Sequence, residues 1–126
     1  MANVISTDKA PAAVGPYSQA IESEGLVFCS GQVALTREGD LVSGTIAEET
    51  RQALTNLSRV LEAAGASLDD VVKVTAYLTD MDDFVEFNGA YEEFFSGSKP
   101  ARATVGVAAL PKGARVEVEC IARKSR

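Results

Sequence analysis

Residues 45–79, TIAEETRQALTNLSRVLEAAGASLDDVVKVTAYLT, change their hydrophobic period partway along, and that change decides the class of fold. Thr45-Ile46-Ala47-Glu48 is a Ser/Thr-x-x-Glu box, in which two side chains satisfy free amides at a helix start. Leu54, Leu57, Leu61 and Ala64 follow at helical spacing, and Gly65 closes the helix. From Val71 to Thr79 the period drops to two. Val72, Val74, Ala76 and Leu78 fall on one side, and Lys73, Thr75 and Tyr77 on the other, as in a strand.

Downstream, a second helix is expected to begin near Asp80 or Asp82 and to carry Phe84, Phe87, Tyr91 and Phe94 or Phe95 along one stripe. It should stop before Gly97, a residue free to adopt a positive φ. Ala103 to Ala109 and Arg115 to Ala122 read as two strands joined in a hairpin through Leu110-Pro111-Lys112-Gly113-Ala114. Val116, Val118 and Cys120 face one way, and Arg115, Glu117 and Glu119 the other. Upstream, Tyr17 to Glu22 and Leu26 to Ser30 flank the turn signal Glu24-Gly25, a second hairpin. The order β-β-α-β-α-β-β predicts an α+β fold with both helices on one face of a mixed or largely antiparallel sheet. No linker, repeat or low-complexity tract divides the chain, so residues 1–126 are expected to form a single domain.

Two helices cover only one face, yet Leu26-Val27-Phe28-Cys29 and Val105 to Leu110 are apolar at successive positions. A second copy packed sheet to sheet is therefore expected, because soluble monomers rarely expose a contiguous apolar patch. Periodicity leaves the number of copies open.

Composition narrows the chemistry. The chain has 18 acidic and 12 basic residues, a net charge of −6, with no Lys/Arg run able to neutralise a phosphate backbone, so nucleic acid is not an expected partner. No apolar run approaches the roughly 20 residues that span a bilayer. The opening Met1-Ala2-Asn3-Val4-Ile5-Ser6-Thr7-Asp8 lacks a basic segment followed by an apolar one, so no membrane association and a cytoplasmic location are expected. Cys29 and Cys120 sit in apolar β-like runs and read as free buried thiols. There is no histidine, which removes Ser-His and Cys-His nucleophile pairs together with the commonest transition-metal ligand. No metal cluster, phosphate loop or serine nucleophile elbow is found either. The glycines from Gly39 to Gly44 lack both the strand-loop-helix setting and the lysine of a phosphate loop. Chemistry without metal or cofactor, or simple binding, is what remains.

Arg102 and Glu117 stand out as charged residues on strands that are otherwise apolar. In a hairpin they would lie close together, as a structural ion pair or as a site in which the arginine fork holds a carboxylate and the acid positions a water. Tyr17 could donate a phenolic hydrogen bond or simply pack, and Gly31 in Ser30-Gly31-Gln32 could admit a ligand to the backbone or only make a turn. Asn88 interrupts the aromatic stripe, where its amide needs a backbone or ligand partner.

Four blocks extend this reading: residues 12–20 (AAVGPYSQA), 27–33 (VFCSGQV), 88–91 (NGAY), and 100–105 (PARATV) together with 110–119 (LPKGARVEVE). Across nearly its whole length the chain resembles the reactive-intermediate deaminase family, most specifically in the last block. The resemblance implies a chorismate-mutase-like fold assembled as a homotrimer with three clefts between subunits. It implies cofactor-independent hydrolysis of 2-imino or enamine acids, such as 2-iminobutanoate and 2-iminopropanoate, to 2-oxo acids and ammonia. Arg102 matches the arginine that grips the substrate carboxylate, and Glu117 the acid that holds the hydrolytic water. Tyr17, Ser30, Gly31 and Asn88 match cleft-lining residues, Tyr17 from a neighbouring subunit. Thr104, also expected to touch substrate, stands where many members carry Cys, and Gly106 where many carry Glu, which bears on substrate preference. Two rival readings are a trimeric 2-oxo acid binding or interaction module without turnover, and an endoribonuclease or translation inhibitor, against which the acidic balance and missing histidine argue.

Overall fold

The computed structural model describes residues 2–124. Six strands, β1 (Asn3–Ile5), β2 (Ala20–Ser23), β3 (Leu26–Val33), β4 (Val71–Leu78), β5 (Ala101–Gly106) and β6 (Val116–Arg123), form one sheet in the order β1-β2-β3-β6-β4-β5. Every neighbouring pair is antiparallel except β4 and β5, which run parallel, so the sheet is mixed. Helix α1 (Ile46–Ala63) packs on β3 and β6, and α2 (Phe84–Phe94) packs beside α1. This is the expected α+β architecture, with one added edge strand, β1, too short to announce itself by periodicity.

The local signals act as their chemistry requires. Thr45 Oγ1 accepts from the Glu48 amide at 3.1 Å and Glu48 Oε1 accepts from the Thr45 amide at 2.9 Å, a reciprocal cap that satisfies two free amides at the helix start. Gly65 follows the last turn with φ +80°. Asp80 caps a one-turn 3-10 helix (Met81–Asp83) that leads into α2. Gly97, in contrast, does not take the left-handed conformation expected of it; the helix closes at Phe95 with φ −125°. The core lies between the helices and one sheet face, where Leu54, Leu57, Val60 and Leu61 of α1 and Phe87 of α2 meet Val27, Val74, Val116 and Val118, all without solvent exposure. Cys29 and Cys120 are buried there as free thiols, directly opposite one another on β3 and β6.

Two expectations about the placement of strands are overturned as well. Tyr17 is not in a strand, because Gln19 fixes the chain before β2 starts. Its Nε2 donates to the Thr7 and Pro11 carbonyls at 3.1 and 2.8 Å, and its Oε1 accepts from the Thr7 amide at 2.7 Å. The ladder therefore begins at Ala20. Nor do β5 and β6 form a hairpin: they lie on either side of β4. The unit β4-α2-β5 is a strand-helix-strand crossover that returns β5 parallel beside β4. Residues 107–115 then arch over the end of β4, held by Val107 N–H to the Leu78 carbonyl (2.9 Å) and Thr79 N–H to the Arg115 carbonyl (3.1 Å). Buried Glu49 of α1 ties down this arch, accepting from the Arg115 amide at 3.2 Å and Nε at 2.6 Å, while the same guanidinium donates to the Gly44 carbonyl.

The face away from the helices retains exposed apolar side chains. Phe28 is 43% and Val105 40% exposed, whereas Val27 and Cys29 beside Phe28 are buried. Among the described residues no helix is long and apolar enough to cross a membrane.

Candidate functional site

Arg102 projects from β5 toward α2. Its register partner Val74 is fully buried beneath the helices, and residues paired across a ladder share a face. The guanidinium carbon lies 4.6 Å from the ring centroid of Tyr91, 5.6 Å from that of Phe87 and 5.7 Å from that of Phe84. These are three members of the aromatic stripe, spaced along one face of α2. Among the described residues Arg102 forms no ion pair with a carboxylate. It borders a hollow of about 580 Å³ together with Asn88, Tyr91, Glu92, Lys99 and Pro100. Asn88 Oδ1, the Tyr91 hydroxyl and Thr104 Oγ1 are buried with no hydrogen-bond partner, against the usual rule that buried polar atoms are paired. Arrangements of this kind, a cation held by aromatic faces beside unpaired polar atoms, suit a small anion that accepts from the cation and also exchanges hydrogen bonds with its neighbours.

Glu117 points the other way. On β4 it pairs with Tyr77, three residues from Val74, and an odd separation along a regular strand reverses the face. There it shares a second hollow, of about 450 Å³, with Tyr17, Ser30, Gly31, Pro111 and Lys112. β3 is irregular between Cys29 and Gln32, so Ser30 and Gly31 step out of the ladder beside Glu117. A Cβ built on Gly31 would stand 2.0 Å from Glu117 Oε2 and 2.7 Å from its Cδ, so glycine here is what lets the carboxylate lie against the backbone. The Ser30 hydroxyl donates to the Ser18 carbonyl at 2.5 Å and its amide to the Gln19 carbonyl at 2.9 Å, which pins the segment carrying Tyr17 to this edge. Asn56 of α1 donates to the Val33 and Leu35 carbonyls at 3.1 and 2.8 Å and anchors the far side of the irregularity. Burial, and secondarily the nearby Glu119, push the Glu117 carboxyl above the usual carboxylate range.

The seven residues singled out in the sequence thus fall into two groups. Arg102 and Asn88 share one hollow, with Thr104 further along β5 on the same face as Arg102; Tyr17, Ser30, Gly31 and Glu117 share the other, on the opposite face of the sheet. The close Arg102–Glu117 neighbourhood expected from a hairpin does not exist within one chain, because β4 separates their strands. Sequence reasoning also passed over Tyr91 as a mere core aromatic. Its position one helical turn after Asn88, on the same face, was the available signal.

Residues 7–124 match the family model described as endoribonuclease L-PSP. The chain is 54% identical to a mouse protein named 2-iminobutanoate/2-iminopropanoate deaminase, over 94% of this chain and 89% of that one. It superposes on the crystal structure of yeast Mmf1 with a TM-score of 0.97 at 40% identity, covering 99% of this chain and 100% of that one. For E. coli TdcF, crystallised with bound serine, the TM-score is 0.93 at 36% identity, covering 98% and 99%.

Proposed function

The chain belongs to the reactive-intermediate deaminase family, and from that premise we propose that it hydrolyses 2-iminobutanoate and 2-iminopropanoate to 2-oxobutanoate or pyruvate and ammonia, residues 1–126 acting as one catalytic domain. The observation that carries this reading is Arg102, a guanidinium set on aromatic rings with no acid of its own, opening onto a hollow large enough for a small carboxylate. Its two parallel donors bind the substrate carboxylate, while Asn88, which lines the same hollow, and Thr104, two residues along β5 on the same face, serve the adjacent nitrogen. Glu117 holds a water and takes its proton as the oxygen bonds to C2. Glu117 then passes that proton to the nitrogen of the tetrahedral intermediate, and as the C2 hydroxyl gives up its own proton to the same carboxylate and becomes the carbonyl, the C–N bond breaks to release ammonia. A protonated imine is already a good electrophile, so anchoring and orienting supply most of the gain. A positioned carboxylate base adds about 100-fold to 10,000-fold.

A complete site on this reading needs two chains. Arg102 on the helix-covered face and Glu117 on the open face meet only if a neighbouring copy brings its Tyr17, Ser30, Gly31 and Glu117 against the Arg102 edge of the first. A homotrimer with three such clefts accomplishes this and also gives Phe28 and Val105 a partner surface.

Imine generated from threonine by a dehydratase tests the activity. With semicarbazide competing for the imine, the purified protein is expected to speed 2-oxobutanoate release and suppress semicarbazone formation. Binding of 2-oxobutanoate with no change in either rate points instead to a non-catalytic binding module. Cleavage of RNA that persists in Arg102→Ala would revive the ribonuclease reading.

Glu117 also links rate to pH and stability. Because its folded pKa is raised, protonation disarms the base at a higher pH than an ordinary carboxylate, so the rate is expected to fall on acidification from that higher point. The sign for stability is the reverse. A raised carboxyl pKa means that folding disfavours the ionised form, so this site stabilises the fold less as pH rises through the folded pKa. At neutral pH, Glu117→Gln is expected to raise the melting temperature while slowing hydrolysis about 1,000-fold. Thermal melts and rates on the same samples check both directions.

A further inference from the structure

Nothing in the chemistry above uses Tyr91, yet its ring is the one nearest the Arg102 guanidinium, at 4.6 Å. The ring is itself clamped, stacked on Phe95 at 4.7 Å and 28° and tilted against Phe87 at 5.6 Å and 38°. An arginine side chain has more rotamer freedom to lose than most, and an unpaired one must be held by something other than an acid. An aromatic face meets such a cation through its π-system and occupies none of the N–H donors, which remain free for a ligand.

The hydroxyl is harder to account for. Tyr91 is 9% exposed and its phenolic oxygen is buried without a partner. Leaving such a group unpaired carries a desolvation penalty, and phenylalanine would fill the same space without it. Asn88, one turn earlier on the same face of α2, has its own unpaired buried Oδ1, and both residues line the hollow beside Arg102. Burial pushes the phenol up, with the Arg102 charge and the approach of its N–H to the phenolic oxygen, looser than a hydrogen bond, opposing, so it stays neutral and able to donate at physiological pH.

We infer that Tyr91 is a further substrate-binding residue: its ring orients Arg102, and its hydroxyl donates a third hydrogen bond to the carboxylate that Arg102 grips. This rests on the deaminase reading and adds a contact to that site. The ring and hydroxyl are separable by substitution. Tyr91→Phe keeps the platform and deletes the donor, and Tyr91→Leu removes both.

Titration of 2-oxobutanoate, melting temperature and imine hydrolysis are to be measured for wild type and both variants. For Tyr91→Phe, 2-oxobutanoate affinity is expected to fall about 10-fold, with the melting temperature unchanged or raised, since one hydrogen bond to a charged group is lost while a buried unpaired hydroxyl disappears. KM should rise by a similar factor with little change in kcat. For Tyr91→Leu, affinity should fall at least a further 10-fold as the guanidinium loses its platform. A purely structural tyrosine predicts the opposite pattern for Tyr91→Phe: unchanged affinity, or loss of affinity and melting temperature together. Either result overturns the inference, and should Tyr91→Leu not fold, Tyr91→Phe decides alone. Wild type that neither binds 2-oxobutanoate nor hydrolyses imine would count against the deaminase reading, a failure distinct from that of Tyr91.

Discussion

Arg102→Ala is expected to abolish the acceleration of imine hydrolysis and the binding of 2-oxobutanoate, while size-exclusion chromatography reports the same assembly as wild type. Each hydrogen bond between charged groups contributes about 1.5–3 kcal/mol, so losing a two-pronged contact lowers kcat/KM by roughly 100-fold to 10,000-fold. The fold should tolerate the change, because among the described residues Arg102 makes no ion pair whose loss would strand a buried acid. Its guanidinium lies over Phe84, Phe87 and Tyr91, and Phe87 and Tyr91 keep their own ring contacts along α2. Arg102→Lys is the sharper control. Lysine keeps the positive charge over the same rings but lacks the planar fork, so it should restore little activity. Recovery to more than about a tenth of the wild-type rate in Arg102→Lys would mean that charge alone suffices and that the bidentate grip is wrong.

How much of this was legible beforehand follows from which interactions are local. The Thr45 cap, the α1 stripe and the aromatic row of α2 depend on residues within a turn or so of each other and lie where their patterns put them, and β4 alternates as expected from Val74 onward, but the irregularity between Val71 and Lys73 turns Val72 out to solvent. The placement of β5 and β6 depends on competition among strands for a neighbour. That competition was settled by the crossover through α2, which no pattern within 101–123 encodes. The error propagated: a hairpin made Arg102 and Glu117 close neighbours, whereas β4 between them sends the two side chains to opposite faces. Tyr17 went astray for a similar reason, its strand cut short by the contacts of Gln19 to residues 7–11, which lie 8 to 12 positions away. What a single sequence did reveal of the candidate site was polarity out of place, at Arg102, Glu117 and Asn88. The aromatic that completes the arginine platform, Tyr91, was hidden because it conforms to the pattern around it.

Gly31→Ala should be nearly as damaging to hydrolysis as losing Arg102, by a purely steric route. The added Cβ would lie 2.0 Å from Glu117 Oε2, 2.7 Å from Cδ and 3.0 Å from Cγ, too close for the existing arrangement, and the atoms it meets are the movable end of a side chain. Gly31 is not in the left-handed region, so alanine fits its backbone, and the carboxylate yields instead of the strand. Melting temperature is therefore expected to change little while the rate falls about 1,000-fold, within the range a positioned carboxylate base supplies. The cause is separable from simple blockage of the cleft. If alanine acts through Glu117, adding Gly31→Ala to Glu117→Gln should cost far less than it does in wild type, since the residue it displaces has already lost its proton-accepting charge. Equal losses in the two backgrounds would mean that the methyl group obstructs the substrate directly, and Glu117 would forfeit the role of holding the attacking water beside Gly31.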